Sequence, residues 1–391
     1  MNLLAVFRRT ARRAAVTGLR PLSAVNAVLP KRADRIVIYD NLGFHDNCQG
    51  LYEYLLAAGL NRRYRIICAT PAWRDHAASA PPGVRFVPTW FGLAYWLTSR
   101  YVFYAFGKIP LTPSSRQIVV NMWHGMGFKP VGNRERPGSV PARYFTKMLV
   151  TSPVFAPVMA ESFACAEPDL LVCNQPRTDA LFCPAIVPGL PPHKHLVAWL
   201  PTFRTSTIHG WADSTRDVQL PLFDAADPAT PHLLAQLNDW LGAHDTVLLV
   251  KFHPLQKLGT WPDFSHLVFY AQQRLEQVGV GLYNLLGACD ALITDFSSVY
   301  IDYLLLDRPI GFAFDDIGEY RRGFTVDDPT EFMPGPHIGD VSQLRTFIES
   351  LDGDDPYSAR RRALNDQFNS FQDAHAAQRL LALVGIGAMP S

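Results

Sequence analysis

Short apolar runs recur along the chain, each closed by glycine, proline or an acid, and alternate with stretches whose apolar residues fall at helical spacing. Residues 35–39, 64–68, 84–88, 101–104 and 117–123 read as strands, with helices at 51–58 and 91–98. Residues 125–165 read as loop and helix, 170–173 as a strand, and 175–179 as a turn opening a helix. After the proline-rich stretch 184–192 a second series begins. It has strands at 195–200, 246–252, 267–270, 282–286, 291–293 and 309–314, and a helix at 231–241. Helices at 341–351 and 355–384 end the chain. Strands alternating with helices predict parallel sheets.

One stretch stands out in this pattern. Residues 290–302 read as a buried strand, a tight polar turn and a helix stopped before Pro309. Thr294, Asp295, Ser297 and Ser298 are turn and N-cap residue types. Such a turn presents free N–H groups at a helix start, which is an anion site with phosphate as its usual occupant. The same serines can equally serve as plain helix caps. Asp302, one turn further on, can accept from ribose hydroxyls or serve as a first-turn acid.

Length and composition narrow the class. With 391 residues, two domains are expected. Hydrophobic residues make up 48% and charged residues 18%, which marks a folded globular chain. The net charge of +1 gives no bulk signal for nucleic acid. The six cysteines form no CxxC and no zinc-spaced Cys/His cluster, so a reduced, cytosolic compartment is expected and no metal site. Residues 1–30 carry Arg8, Arg9, Arg12 and Arg13 beside an apolar face. They read as a helix lying on an anionic membrane surface or as a tail helix packed on its own domain. No stretch is long and unbroken enough to span a bilayer.

The pattern divides the chain into a basic segment at 1–30, a Rossmann-like domain at 31–185, a second at 193–350, and C-terminal helices at 351–391. Two such domains suggest the two-Rossmann (GT-B) glycosyltransferase architecture, with ligands in a cleft outside the carboxyl ends of the strands. By fold analogy the first domain takes an acceptor and the second a nucleotide donor.

Candidate chemistry falls at strand ends. His124 follows an apolar strand and precedes Gly125, so it can project into a cleft and take a proton from a hydroxyl, or sit buried on backbone. Lys129 adds nearby charge suited to phosphate. His253 ends another strand, and Lys251 points to its side by alternation; together they can hold a pyrophosphate. Arg204 can meet phosphate or a surface carboxylate. Arg177 and Asp179 can be functional or pair with each other, and Asp46 and Asn47 occupy a polar loop after the first strand.

In order along the chain these pieces resemble the CDP-glycerol glycerophosphotransferase family, which includes the teichoic acid primases and polymerases. They are Gly43-Phe-His-Asp46-Asn47, Trp123-His124-Gly125 with Lys129 and Gly132, Gln175-Pro-Arg177-Thr-Asp179, and Leu200-Pro-Thr202-Phe-Arg204. His253-Pro254, Ile293-Thr-Asp-Phe-Ser-Ser-Val-Tyr-Ile-Asp302 and Pro334-Gly-Pro336 follow. The resemblance implies a CDP-alcohol donor such as CDP-glycerol, a lipid-linked or polymeric glycan acceptor, no firmly implied cofactor, and a cytosolic site on the inner membrane face. It implies His124 as the base, with His253, Ser297 and Ser298 on the pyrophosphate. Two alternatives stay open: a glycosyltransferase using a nucleotide sugar such as CMP-sialic acid, and a non-catalytic binding protein on the same fold.

Overall fold

The structure is a computed structural model. It describes residues 20–105, 110–140, 143–185, 187–202, 205–206, 211–212, 220–223, 227–252, 262–270, 275, 277–315, 317, 320 and 323–387. These divide into two compact units. The first runs to His124, resumes with Gly132–Asp179 and includes the chain from His375 on. The second comprises Gly125–Val131 and Ala180–Ala374.

The first unit holds α1 (Arg20–Val28), β1 (Arg32–Tyr39), α2 (Asp46–Ala57), β2 (Arg65–Ala69), α3 (Trp73–Ala77), β3 (Val84–Val87), α4 (Thr89–Thr98), β4 (Ser99–Tyr104) and β5 (Ile118–Asn121). It continues with β6 (Lys147–Val150), α5 (Ala156–Phe163) and β7 (Leu170–Val172). Its seven strands are all parallel, in the order β3-β2-β1-β4-β5-β6-β7. Strands buried on both faces must be apolar throughout. Ile36, Ile38, Ile66, Phe103, Val120 and Leu149 accordingly pack with Leu51 and Leu55 of α2 in one core.

The second unit holds β8 (His195–Trp199), a short ribbon of β9 (Thr205–Ser206) and β10 (Trp211–Ala212), α6 (Thr230–Ala243), β11 (Thr246–Lys251) and β12 (Leu267–Tyr270). It continues with α7 (Leu282–Ala288), β13 (Ala291–Thr294), α8 (Val299–Tyr303), β14 (Ile310–Ala313), β15 (His337–Ile338), α9 (Val341–Glu349) and α10 (Ser358–Phe368). Its six-stranded sheet is also parallel, in the order β12-β11-β8-β13-β14-β15. In each sheet the strand order reverses once, between β1 and β4 and between β8 and β13. Open α/β sheets bind ligands outside the carboxyl ends of the strands at that reversal.

Five local expectations change. Asp46 and Asn47, read as loop before a helix at 51–58, already lie in the first turn of α2. Residues 282–286, read as a strand, form α7, which buries Tyr283, Leu285 and Leu286; a mostly apolar run this short, with Asn284 in its middle, fits either period. Residues 147–150, read as loop or helix, form β6 between β5 and β7. The helix expected at 355–384 is broken: α10 ends at Phe368, and α11 (Ala376–Leu383) packs its Leu380 and Leu381 into the first unit's core. The helix after Ser298 is shorter than its spacing suggests. α8 has five residues and passes into a 3-10 turn at Leu304–Leu306, ended by Asp307 in the left-handed region (φ 48). A helix that short contributes little dipole.

Candidate active site

At the carboxyl end of β1, Asp40 is buried, and the N–H of Leu42 donates to its carboxylate. Burial pushes its carboxyl up to about 7, the Leu42 N–H opposes that rise, and the nearby charge of Asp46 adds to it. Three residues after β5 comes His124. Its strand stops at Asn121, whose side-chain carbonyl accepts the N–H of Trp123 at 3.0 Å and turns the chain out of the sheet. Trp123 then takes φ 57, in the left-handed region that bulky residues avoid. Its indole lies 3.9 Å from the His124 ring and 4.6 Å from Phe163. His124 itself is half-buried. Gly125 follows at φ 140, a backbone conformation that favours glycine.

A polar network lies beneath this turn. The Asn47 amide donates to the Trp123 carbonyl at 2.9 Å and to Gln175 Oε1 at 3.0 Å. Asn47 Oδ1 accepts the N–H of Arg177 at 3.2 Å. The Arg177 guanidinium donates to Asp46 at 2.7 Å and to the His124 carbonyl at 3.0 Å. Asp179 has a different partner from the one the sequence suggests. Its carboxylate accepts the N–H groups of Ala376 and Ala377 at 2.8 and 3.0 Å, capping α11.

In the second unit the loops after β8 and β13 meet at the sheet's reversal. Thr294 is buried, its hydroxyl on the Leu200 carbonyl at 2.8 Å. Asp295 is buried and accepts both the N–H and the hydroxyl of Thr202. These two residues hold the turn and do not reach solvent. Ser297 and Ser298 do reach it. The Ser298 hydroxyl makes no capping bond to α8, and Ser297 Oγ accepts only a long 3.4 Å bond from the N–H of Val299. Pure capping therefore does not account for both hydroxyls.

The segment Gly125–Val131, belonging to this unit, runs beside the same turn. A Cβ on Gly127 would lie 3.3 Å from that of Ser298. Lys129 approaches the Thr202 hydroxyl at 3.4 Å and sits 5.4 Å over the Tyr320 ring. Phe128 stacks on Phe332 at 4.6 Å, and its carbonyl accepts the N–H of Thr325 at 2.6 Å. A small cavity here is lined by Gly127, Lys129, Phe296, Ser298, Tyr300 and Phe324.

Two sequence candidates sit deeper than their expected roles require. Asp302 is buried and accepts the Tyr283 hydroxyl at 2.6 Å, so a ribose would have to displace Tyr283. Lys251 is buried at the end of β11, with Nζ 3.5 Å from the Phe252 carbonyl. His253 and Arg204 lie outside the described residues. Among the described residues no three His, Cys, Asp or Glu side chains cluster as metal ligands. Asp40, Thr202 and Gln175 were not singled out as site residues by sequence; an acid directly after a strand was the signal available for Asp40.

The motifs and the two sheet reversals fit one family. Its model, described as CDP-glycerol:poly(glycerophosphate) glycerophosphotransferase, matches residues 22–385. The chain belongs to this family. Among similar members, the teichoic acid ribitol-phosphate primase of Bacillus spizizenii is 26% identical over 386 residues, covering 91% of this chain and 92% of the primase. A teichoic acid ribitol-phosphate polymerase of Staphylococcus aureus is 26% identical over 284 residues, 68% of this chain and 52% of the polymerase. The teichoic acid glycerol-phosphate primase of Bacillus subtilis is 25% identical, covering 68% of this chain and 67% of that protein. The chain thus spans nearly all of one primase and about half of a polymerase. The solved structure of the wall teichoic acid polymerase TagF shares the fold, with a TM-score of 0.66 at 20% identity over 97% of each chain. No helix among the described residues is long and apolar enough to cross a membrane.

Proposed function

We propose that this family member transfers a polyol phosphate, glycerol or ribitol phosphate, from a CDP-linked donor to a hydroxyl of a lipid-linked or polymeric glycan. That places it in cell-envelope polymer synthesis, working from the cytoplasmic face as a peripheral protein on two Rossmann-like domains of the glycosyltransferase type. The observation that carries the reading is the family match over nearly the whole chain. The half-buried His124 and the partly exposed Ser297 and Ser298 support it, each at the carboxyl end of its unit's sheet.

In this reading His124 takes the proton of the acceptor hydroxyl, whose oxygen attacks the β-phosphorus in line. The bond from that phosphorus to the bridging oxygen breaks and CMP leaves. Ser297, Ser298, Lys129 and His253 meet the donor phosphates, so positioning and charge stabilisation supply most of the acceleration. No metal or cofactor is assigned. Parallel assays with CDP-glycerol, CDP-ribitol and CMP-sialic acid, each with membrane-extracted acceptor, test the proposal by CMP release. Release from a CDP-polyol supports it; release from CMP-sialic acid alone overturns it.

A further inference from the structure

Trp123 pays for a left-handed backbone, which costs a bulky residue on the order of 1–3 kcal/mol and persists only where neighbours over-determine it. The neighbours here are specific. Asn47 fixes the Trp123 carbonyl and Arg177 fixes the next one, that of His124. Fixing these two carbonyls sets the peptide planes on both sides of the His124 Cα, and with them the direction in which the His124 side chain leaves the backbone.

The holding groups are themselves held. Arg177 is bonded to Asp46, with side chains only 7% and 14% exposed. Asn47 bonds the Arg177 backbone and Gln175, so the clamp closes on itself. The approach depends on Gly50 in α2, where a Cβ would lie 2.7 Å from the Pro176 carbonyl oxygen. Asp46 too sits in the left-handed region, at φ 59. The Arg177 guanidinium is buried and reaches the backbone of the turn at the His124 carbonyl.

We propose that Asp46, Asn47 and Arg177 are positioning residues for His124, acting through its backbone and not on substrate. This rests on the reading of His124 as the base. Misplacing a reacting group by about 1 Å can cost roughly 100-fold, so Arg177→Met lowers turnover by roughly 10- to 100-fold with donor affinity kept.

The test uses the full chain with 13C-labelled histidine rings, the His124 signal being assigned by its loss in His124→Ala. In Arg177→Met and Asn47→Ala that signal should shift and titrate over a different pH range. The other histidine signals should stay in place. Arg177→Lys, which can keep one of the two bonds, should recover part of the shift and stands in if Arg177→Met does not fold. CMP release from CDP-glycerol and CDP-ribitol is measured alongside. Once His124 is alanine, Arg177→Met should cost little further, because the two residues act as a unit. A His124 signal unmoved in all three variants overturns the clamp, as does an equal loss from Arg177→Met with and without His124. If the signal moves but His124→Ala releases CMP at the wild-type rate, the clamp stands and the base assignment falls.

Discussion

The turns after β5 and β13 are of similar length, yet they are built differently. The β5 turn carries a tryptophan in a disfavoured conformation, and side chains from α2 and the 3-10 helix at Pro176–Phe182 hold it. The β13 turn is held through Thr202 on Asp295 and by Phe296 packed on Phe314, Tyr320 and Phe324, and no residue from Asp295 to Ser298 has positive φ. A group that must move a proton along a fixed line needs orientation. Hydroxyls that meet a phosphate oxygen rotate to suit it. The strained, clamped backbone of the β5 turn therefore marks it as the one where orientation is critical.

The comparison breaks most visibly at His124. His124→Ala should lower turnover by ~10²–10⁴-fold, the scale of a general base, as checked by steady-state CMP release. Asp295→Ala should act on stability. It strands the buried Thr202 N–H and hydroxyl and should cost the second unit about 2–4 kcal/mol, visible as an earlier denaturant midpoint. Ser298→Ala should leave the fold intact and weaken CDP-polyol binding by about tenfold, the loss of one charge-assisted hydrogen bond, read by calorimetry.

A pH-dependent effect on stability concerns Asp40. Its folded carboxyl titrates at about 7 against 3.8 unperturbed, so between those values the folded chain binds more protons than the unfolded one. Stability from this group therefore falls as pH rises through that window. Asp40→Asn should be more stable than wild type near pH 8, the gain shrinking towards pH 5. Thermal melts across that range check it, and a gain of the same size at both ends would refute the assignment.

The sequence made the parallel α/β character and the ordered motifs readable, because buried strands must be apolar and their ends must turn. The partnerships were not readable. Arg177 looked like a mate for Asp179 two residues away, but the fold gives it Asp46, 131 positions earlier, and spends Asp179 on α11. Asp302 looked ready for a ribose until Tyr283 arrived from α7, a segment whose apolar run read as a strand. Trp123 looked like the end of a strand, because a left-handed residue leaves no mark in hydrophobic spacing.

The division of labour between the two turns can be measured in one experiment. Single-turnover CMP release, with enzyme and acceptor in excess over donor and followed from pH 5 to 9, is compared between wild type, His124→Ala and Ser298→Ala. The account predicts an acidic limb in the wild type and in Ser298→Ala, lost together with most of the rate in His124→Ala. A His124→Ala profile with wild-type rate and shape would contradict it.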